Sequence, residues 1–331
     1  MTLTYKKYCI LGGAGSFAIQ TAQHLLTAEE ATVIGIGRNP IRARPEAFTL
    51  GIEHHPRFKY YAHHVTHELD ELLETLDAER PEVIINFAAQ GEGAVSWQGA
   101  WRFFETNCVA LSRLAEALSK RHWLKRFVHI GTSEMYGSVT EPAKANALIK
   151  PTSPYAVSKV AFDMYLQSSR KVIPWNIIRP SNCYCPGQLL HRVIPKAIMA
   201  GLTNNKIPLQ GGGMAKKSYL HARDLAKAIH IVANDGPLYQ IFNVGPDEPT
   251  AIREVVARCA EALGIEFEEL CEEAPGRPGE DSQYWLDSTS IKLLGWKQSI
   301  GWNKGLAEMV KWGEKYISTL RDWPTSYTLR V

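Results

Sequence analysis

The chain has 331 residues, enough for one large domain or two closely joined ones around a sizeable core. Its composition, 45% hydrophobic and 21% charged, is that of an ordinary globular protein. A net charge of +3 is too small to imply nucleic acid or an anionic membrane as partner, though a local basic cluster could hold a small anion.

In chain order, short β-branched runs alternate with helical stretches. Strands are predicted at Tyr8–Leu11, Thr32–Ile36, Lys59–Tyr61, Val83–Phe87, Phe127–Ile130 and Trp175–Ile178. Helices are predicted between them at Phe17–Leu26, Leu69–Leu76, Trp101–Ser119 and Tyr155–Ser169. Nearly continuous apolar strands alternating with helices indicate an α/β fold, a doubly wound parallel sheet of Rossmann type covered on both faces. After Arg179 the chain becomes loop-rich ("RPSNCYCPGQ", "LQGGGMAKKSY"), then reads as helix Ile252–Leu263, a loop "EEAPGRPGEDSQ" and a final helix Trp302–Ser318. The expected division is a nucleotide-binding unit, 1–178 with about 220–248, and a smaller mixed substrate lobe, 179–219 with 249–331.

No apolar run reaches the roughly 18 residues of a membrane span. Glycines interrupt the N-terminal apolar segment, so it lacks a signal-peptide pattern. The cysteines at 9, 108, 183, 185, 259 and 271 form no C-x-x-C pair. They read as reduced structural thiols in a cytoplasmic protein.

"CILGGAGSFAIQTAQHLL" sets glycines 12, 13 and 15 between a strand and a helix. Gly12 permits the tight turn, and Gly15 lets the backbone approach a pyrophosphate that the helix N-terminus would also attract. The second strand ends on Gly37 and Arg38, where an acidic residue would hold the ribose of NAD. Glycine leaves room for a 2′-phosphate and a guanidinium can bind one, with Arg42 and Arg44 adding positive field, so NADP is favoured over NAD. A solvated basic loop is the plainer reading of the same residues. Ala88 and Ala89 after the fourth strand suit either the approach of a flat cofactor or core packing.

At the end of the fifth strand, Thr132, Ser133 and Glu134 stand together in "HIGTSEMYGSV". Further on, "SPYAVSK" puts Tyr155 and Lys159 four apart on one helix face. An ammonium beside a phenol stabilises phenolate, so Lys159 is expected to lower the Tyr155 pKa and make it a general base. His54, His55, His63, His64 and His67 cluster in sequence, but no carboxylate or cysteine spacing supports a metal site, and none is expected.

Together these motifs resemble the extended short-chain dehydrogenase/reductase family, and within it the nucleotide-hexose 4,6-dehydratases. "NFAAQGEGAVSW" is similar to the fourth-strand turn of GDP-mannose dehydratases; "RPSNCYCPGQ", "VIPKAI" and "RPGEDSQYWLDSTSIKLLGW" are similar to the substrate lobe of dTDP-glucose dehydratases. The resemblance implies that Tyr155 deprotonates a sugar 4-hydroxyl while hydride passes to NADP, with Thr132 on the same oxygen and Lys159 on the cofactor ribose. Glu134 would then take the C5 proton, water would leave from C6, and the hydride would return there.

The cofactor contacts implied are Gly12, Gly15, Ser16, Phe17, Arg38, Asn39, Ala88, Ala89, Gln90, Asn107, Tyr155, Lys159 and Arg179. Substrate contacts implied are Ser96, Asn182, Arg192, Lys217 and Arg277, the last two as diphosphate ligands or else solvated loop charges. A homodimer through paired helices Trp101–Ser119 and Tyr155–Ser169 is also implied, unless both simply cover the sheet.

The sequence departs from the family pattern in places. Ser133 stands where dTDP-glucose dehydratases carry an acidic proton donor, and Gly91-Glu92-Gly93 replaces a common Ser-His-Val. His64 replaces an aspartate, Cys185 a glycine and Lys217 an arginine. A ketohexose reductase, an epimerase, a UDP-glucuronate decarboxylase and a non-catalytic NADP-binding sensor remain as alternatives.

Overall fold

The computed structural model describes residues 5–28, 30–168, 172–276, 281–327 and 329. In chain order its strands are β1 (Lys7–Leu11), β2 (Thr32–Gly37), β3 (Phe58–Ala62), β4 (Val83–Asn86), β5 (Arg126–Ile130) and β6 (Trp175–Pro180). There follow β7 (Asn182–Tyr184), β8 (Ile207–Gln210), β9 (Lys216–Lys217) and β10 (Tyr219–His221), then β11 (Ile241–Val244), β12 (Thr250–Ala251) and β13 (Cys271–Ala274). Seven of them form the main sheet, in the order β11-β6-β5-β4-β1-β2-β3, every pair parallel.

Strands β1, β4 and β5 read CIL, VIIN and FVHI because helices bury them on both faces. One face carries helices Ser16–Ala28 and Ala222–Asp235, whose Ile19, Leu25, Ile229 and Val232 meet Tyr8, Ile10 and Val128. The other carries Leu72, Leu76, Leu111, Leu114, Phe162 and Leu166 against Cys9, Ile84 and Phe127. Strand order reverses between β1 and β4, and ligands of open α/β sheets bind at the carboxyl ends of such a pair.

A separate core joins helices Val193–Leu202, Ile252–Leu263 and Trp302–Lys315 through Ile194, Ile198, Val256, Leu306 and Met309. Part of the loop predicted after Leu270 is in fact β13, which pairs parallel with β8. Four residues, CEEA, carry no usable periodicity, and a distant partner strand makes the element. The loop predicted after Arg179 likewise contains β7, paired with β10.

Predicted helix Trp101–Ser119 is interrupted: α-helix Ala100–Phe104 passes through a π turn, Glu105–Ala110, before α-helix Leu111–Leu118. Predicted helix Trp302–Ser318 breaks at Tyr316. No helix among the described residues is long and apolar enough to cross a membrane.

Candidate active site

The glycine turn lies at the carboxyl end of β1. Gly12 adopts φ 73°, and a β-carbon there would approach the Ala88 nitrogen to 2.8 Å, so this residue must be glycine. Gly15 N donates to Gly12 O at 2.9 Å, and Ile19 N makes the first helical bond, to Gly15 O. The amides of Ser16, Phe17 and Ala18 therefore lie ahead of the helix ladder, as a pyrophosphate would need. Arg44 Nη1 donates to Ala14 O at 2.6 Å and braces the turn. The Ser16 hydroxyl hydrogen-bonds the Cys185 thiol, tying the turn to the lobe.

At the end of β2, a β-carbon on Gly37 would fall 2.5 Å from Tyr60 Oη. The absence of an acid at 37 thus has a steric cause: the Tyr60 phenol, bound to Asn39 O at 3.0 Å, fills that space. Arg38 bears on His64, which leans on His67 with ring centroids 4.6 Å apart. His63 pairs with Thr75, and among the described residues no cluster of three His, Cys, Asp or Glu groups could hold a metal ion.

Across the switch point, Asn86 Oδ1 accepts from Ala88 N at 3.1 Å. Asn107, on the π turn, accepts from Gln90 N (2.7 Å) and donates to Gln90 O (3.0 Å) and Ser158 Oγ (2.9 Å). The extra residue of the turn brings this buried amide between the β4 loop and the Tyr155 helix. The Asn107 amide thus holds the Gln90 backbone in place.

Pro154 opens the Pro154–Ser168 helix, where proline costs no bond, and Ser153 Oγ caps Ala156 N at 3.1 Å. This start aims Tyr155 at β5, where Thr132 Oγ1 accepts from Glu134 N and begins a short 3₁₀ turn, Ser133–Tyr136. The Thr132 hydroxyl hydrogen-bonds the Tyr155 phenol. Phe103 packs edge-on against the same ring at 6.4 Å.

Glu134 is pushed up to about 7, by burial first and with Glu92 and Asp281 adding to it, while Arg192 and Lys217 pull the other way. Burial and the Glu134 charge raise the Tyr155 phenol above its ordinary value, and the Thr132 bond opposes them. The Lys159 ammonium donates to Ile130 O at 2.6 Å, and burial lowers its own pKa to about 8.

The Arg179 guanidinium is buried and donates to Asp163 Oδ2 (3.0 Å), Tyr136 Oη (2.7 Å) and Ala145 O (2.8 Å). It fastens β6 to the Tyr155 helix and to the turn after β5. His129 lies 3.4 Å from Asp163 and 3.0 Å from Asn86 Nδ2, and burial holds its pKa well down, so it is neutral. His129 Nε2 also lies 3.4 Å from Lys159 Nζ, so the ring sits between the Lys159 ammonium and the Asp163 carboxylate.

Among the substrate candidates, Ser96 Oγ donates to Gly93 O at 2.6 Å, and Arg192 Nη1 meets Glu92 Oε2 at 3.1 Å. Asn182 starts β7 half-buried. Lys217 is buried, its Nζ donating to Asp281 O and lying 3.8 Å over the Tyr284 ring. Arg277 lies outside the described residues. Glu92, His191 and Asp281 join the site without having been read as site residues. The only sequence signal for Glu92 was its place in an atypical Gly-Glu-Gly.

The geometry defines a Rossmann-type nucleotide-binding scaffold with a carboxylate beside the Thr132–Tyr155 pair. The sequence profile of the NAD dependent epimerase/dehydratase family matches residues 8–245, and the chain belongs to that family. A dTDP-glucose 4,6-dehydratase of Streptomyces niveus is 31% identical over 235 residues, covering 70% of this chain and 69% of that protein. A trifunctional UDP-glucose 4,6-dehydratase/UDP-4-keto-6-deoxy-D-glucose 3,5-epimerase/UDP-4-keto-L-rhamnose-reductase of Arabidopsis thaliana is 28% identical over 317 residues. The alignment takes in 93% of this chain, which spans about half (47%) of that longer relative. DesIV, a dTDP-glucose 4,6-dehydratase of Streptomyces venezuelae solved with NAD bound, superposes with a TM-score of 0.86 at 25% identity, covering 94% of this chain and 98% of that one.

Proposed function

We propose that the chain is an NADP-dependent nucleotide-sugar 4,6-dehydratase, a lyase giving an NDP-4-keto-6-deoxyhexose. The observation that carries this reading is Glu134, half-buried beside the Thr132–Tyr155 pair with its carboxyl pushed up to about 7. A simple 4-epimerase or alcohol dehydrogenase needs the tyrosine but no second base. The dehydratase names of the relatives agree with it.

A bound nicotinamide would supply reversible hydride storage between C4 and C6, so that no reductant is consumed. Gly12, Gly15 and the amides of Ser16 and Phe17 would hold its pyrophosphate, and Arg38 with Asn39 the adenosine ribose and its 2′-phosphate. Ala88, Ala89 and Gln90 would line its path, and Lys159, anchored on Ile130 O, would donate to the nicotinamide ribose.

Tyr155 takes the proton from the sugar 4-hydroxyl, and Thr132 stabilises the phenolate. The resulting ketone acidifies C5, whose proton Glu134 removes in its ionised form. With a pKa near 7 it is a stronger base than a free glutamate and still a good enough acid to return a proton to C5. Ser96, Asn182, Arg192, Lys217 and Arg277 are the proposed contacts to sugar and diphosphate.

The same reading includes a homodimer and a cytoplasmic setting. Trp101, Val109, Val157 and Met164 stand exposed on the two neighbouring helices, which supports a second copy seated there. All six cysteines are free thiols, five of them buried, in keeping with a reducing compartment.

The test is mass spectrometry of products from GDP-mannose, dTDP-, CDP- and UDP-glucose, UDP-N-acetylglucosamine and UDP-glucuronate in heavy water without added reductant. Loss of one water with one deuteron retained is the expected result. An isomer of unchanged composition means an epimerase, and loss of carbon dioxide a decarboxylase. No turnover of any member overturns the dehydratase reading.

A further inference from the structure

Eliminating water across C5 and C6 needs two proton transfers, and the residues assigned so far supply one. Hydroxide is a poor leaving group, so the C6 oxygen must be protonated as its bond breaks. The Ser133 hydroxyl is too weak an acid for this, and Glu134 keeps the proton it takes from C5 for return to C5. Among the described residues, four other charged groups bear on Glu134: Arg192, Glu92, Lys217 and Asp281. A guanidinium does not release its proton. Lys217 is held between Asp281 O and the Tyr284 ring. Asp281 accepts from Ser138, Thr152 and Tyr284, which fixes it as a structural carboxylate. Glu92 remains.

Its placement fits that role. Glu92 sits between two glycines with φ 85°, a conformation that non-glycine residues rarely adopt. A β-carbon on Gly93 would come within 3.0 Å of Glu134 Oε2, so the loop backbone lies directly against the base. Ser96 pins that loop through both its hydroxyl and its amide to Gly93 O. Glu92 Oε2 is 3.1 Å from Arg192 Nη1 and 3.5 Å from His191 Nε2. The His191 nitrogen is buried without a hydrogen-bond partner among the described residues.

We infer that Glu92 is the proton donor to the departing C6 oxygen and that His191 resupplies it. The inference rests on the dehydratase reaction proposed above. When the substrate diphosphate engages Arg192, Glu92 is released from that cation, and a proton passes to it from His191 Nε2, 3.5 Å away. Glu134 accepts the C5 proton, the C5–H electron pair becomes the C5–C6 double bond, and the C6–O bond breaks. The oxygen takes the Glu92 proton and leaves as water. The proton that Tyr155 removed at C4 returns to His191 through solvent, so the turn closes with one water lost and no net oxidation.

The experiment compares wild type, Glu92→Gln, Glu92→Asp and His191→Gln in heavy water on the panel member that the wild type dehydrates. Deuterium entering C5 of recovered sugar and loss of water are followed separately. For Glu92→Gln, exchange at C5 should continue near the wild-type rate while water loss falls about 100-fold or more. Glu92→Asp should restore part of the loss. A residue that merely held Arg192 would raise KM and slow both processes together, and that outcome, or no change in either, overturns the inference. If Glu92→Gln fails to fold by its melting curve, His191→Gln decides, with the same split expected. A wild type that turns over no sugar overturns the dehydratase reading itself.

Discussion

Gly93 and Glu134 share one contact: a β-carbon at residue 93 would lie 3.0 Å from Glu134 Oε2 and 3.4 Å from Ser153 Oγ. The glycine leaves the carboxylate its position beside the Thr132–Tyr155 pair. Gly93→Ala should fold normally, because the added methyl meets a movable side chain. Glu134 would swing by a few tenths of an ångström or more, and small misplacements of reacting groups are costly. A roughly 10- to 100-fold fall in kcat with an unchanged melting temperature is expected. An unchanged kcat would show that Glu134 does not need this position.

Glu134 also links activity to pH. Its carboxyl holds a proton in the folded protein up to about 7, whereas in the unfolded chain it titrates near 4.5. Between those values the folded state binds more protons, so stability falls as pH rises through that window. At about 1.4 kcal/mol per unit, the shift is on the order of 3 kcal/mol. Glu134→Gln should therefore melt higher than wild type at pH 8 and no higher at pH 5. In wild type, the rate of water loss should climb with pH to a plateau above about 7. A melting difference independent of pH would refute the assignment.

Tyr155→Phe removes the proposed base at C4 and leaves the glycine turn intact. Cofactor binding, measured by titration, should persist, while sugar oxidation falls roughly 10²- to 10⁴-fold. A protein that served only as an NADP sensor would keep its function in this variant.

The Asp163–Arg179 pair offers a test of stability. Asp163→Asn leaves a fully buried guanidinium without its counter-charge, which costs about 3–5 kcal/mol. Urea denaturation should show a lower midpoint with an unchanged slope. Lys159 bears on the same carboxylate, so weakened cofactor retention should accompany the loss.

The proposed preference for NADP turns on Arg38. Arg38→Ala should weaken NADP about 10- to 100-fold, the worth of a charge-assisted contact, with little effect on NAD. Gly37→Asp should not convert the enzyme to NAD by itself, because its β-carbon would meet Tyr60 Oη at 2.5 Å. Equal weakening of both cofactors by Arg38→Ala would sink the 2′-phosphate assignment.

The central strands were legible because burial on both faces demands unbroken β-branched runs, as in VIIN and FVHI. The glycine turn and the Ser-Pro-Tyr helix start were legible for a similar reason, since backbone rules act over a few residues. The β13 strand was not, because its partner β8 lies about sixty residues away and four residues cannot announce a pairing. Nor was the π turn that carries Asn107, since one extra residue in a helix leaves no mark in composition.

By itself the sequence determined which chemical groups exist and which close neighbours they have: Thr132 beside Glu134, Tyr155 four residues from Lys159, Glu92 between glycines. Only the tertiary structure decided what those groups face. It turned Lys159 to a carbonyl, buried Arg179 against Asp163, and brought Glu92 to His191 and Arg192 from the far side of the cleft. It also set the Glu134 pKa, because desolvation depends on everything that excludes water from a carboxylate, and most of that comes from elsewhere in the chain.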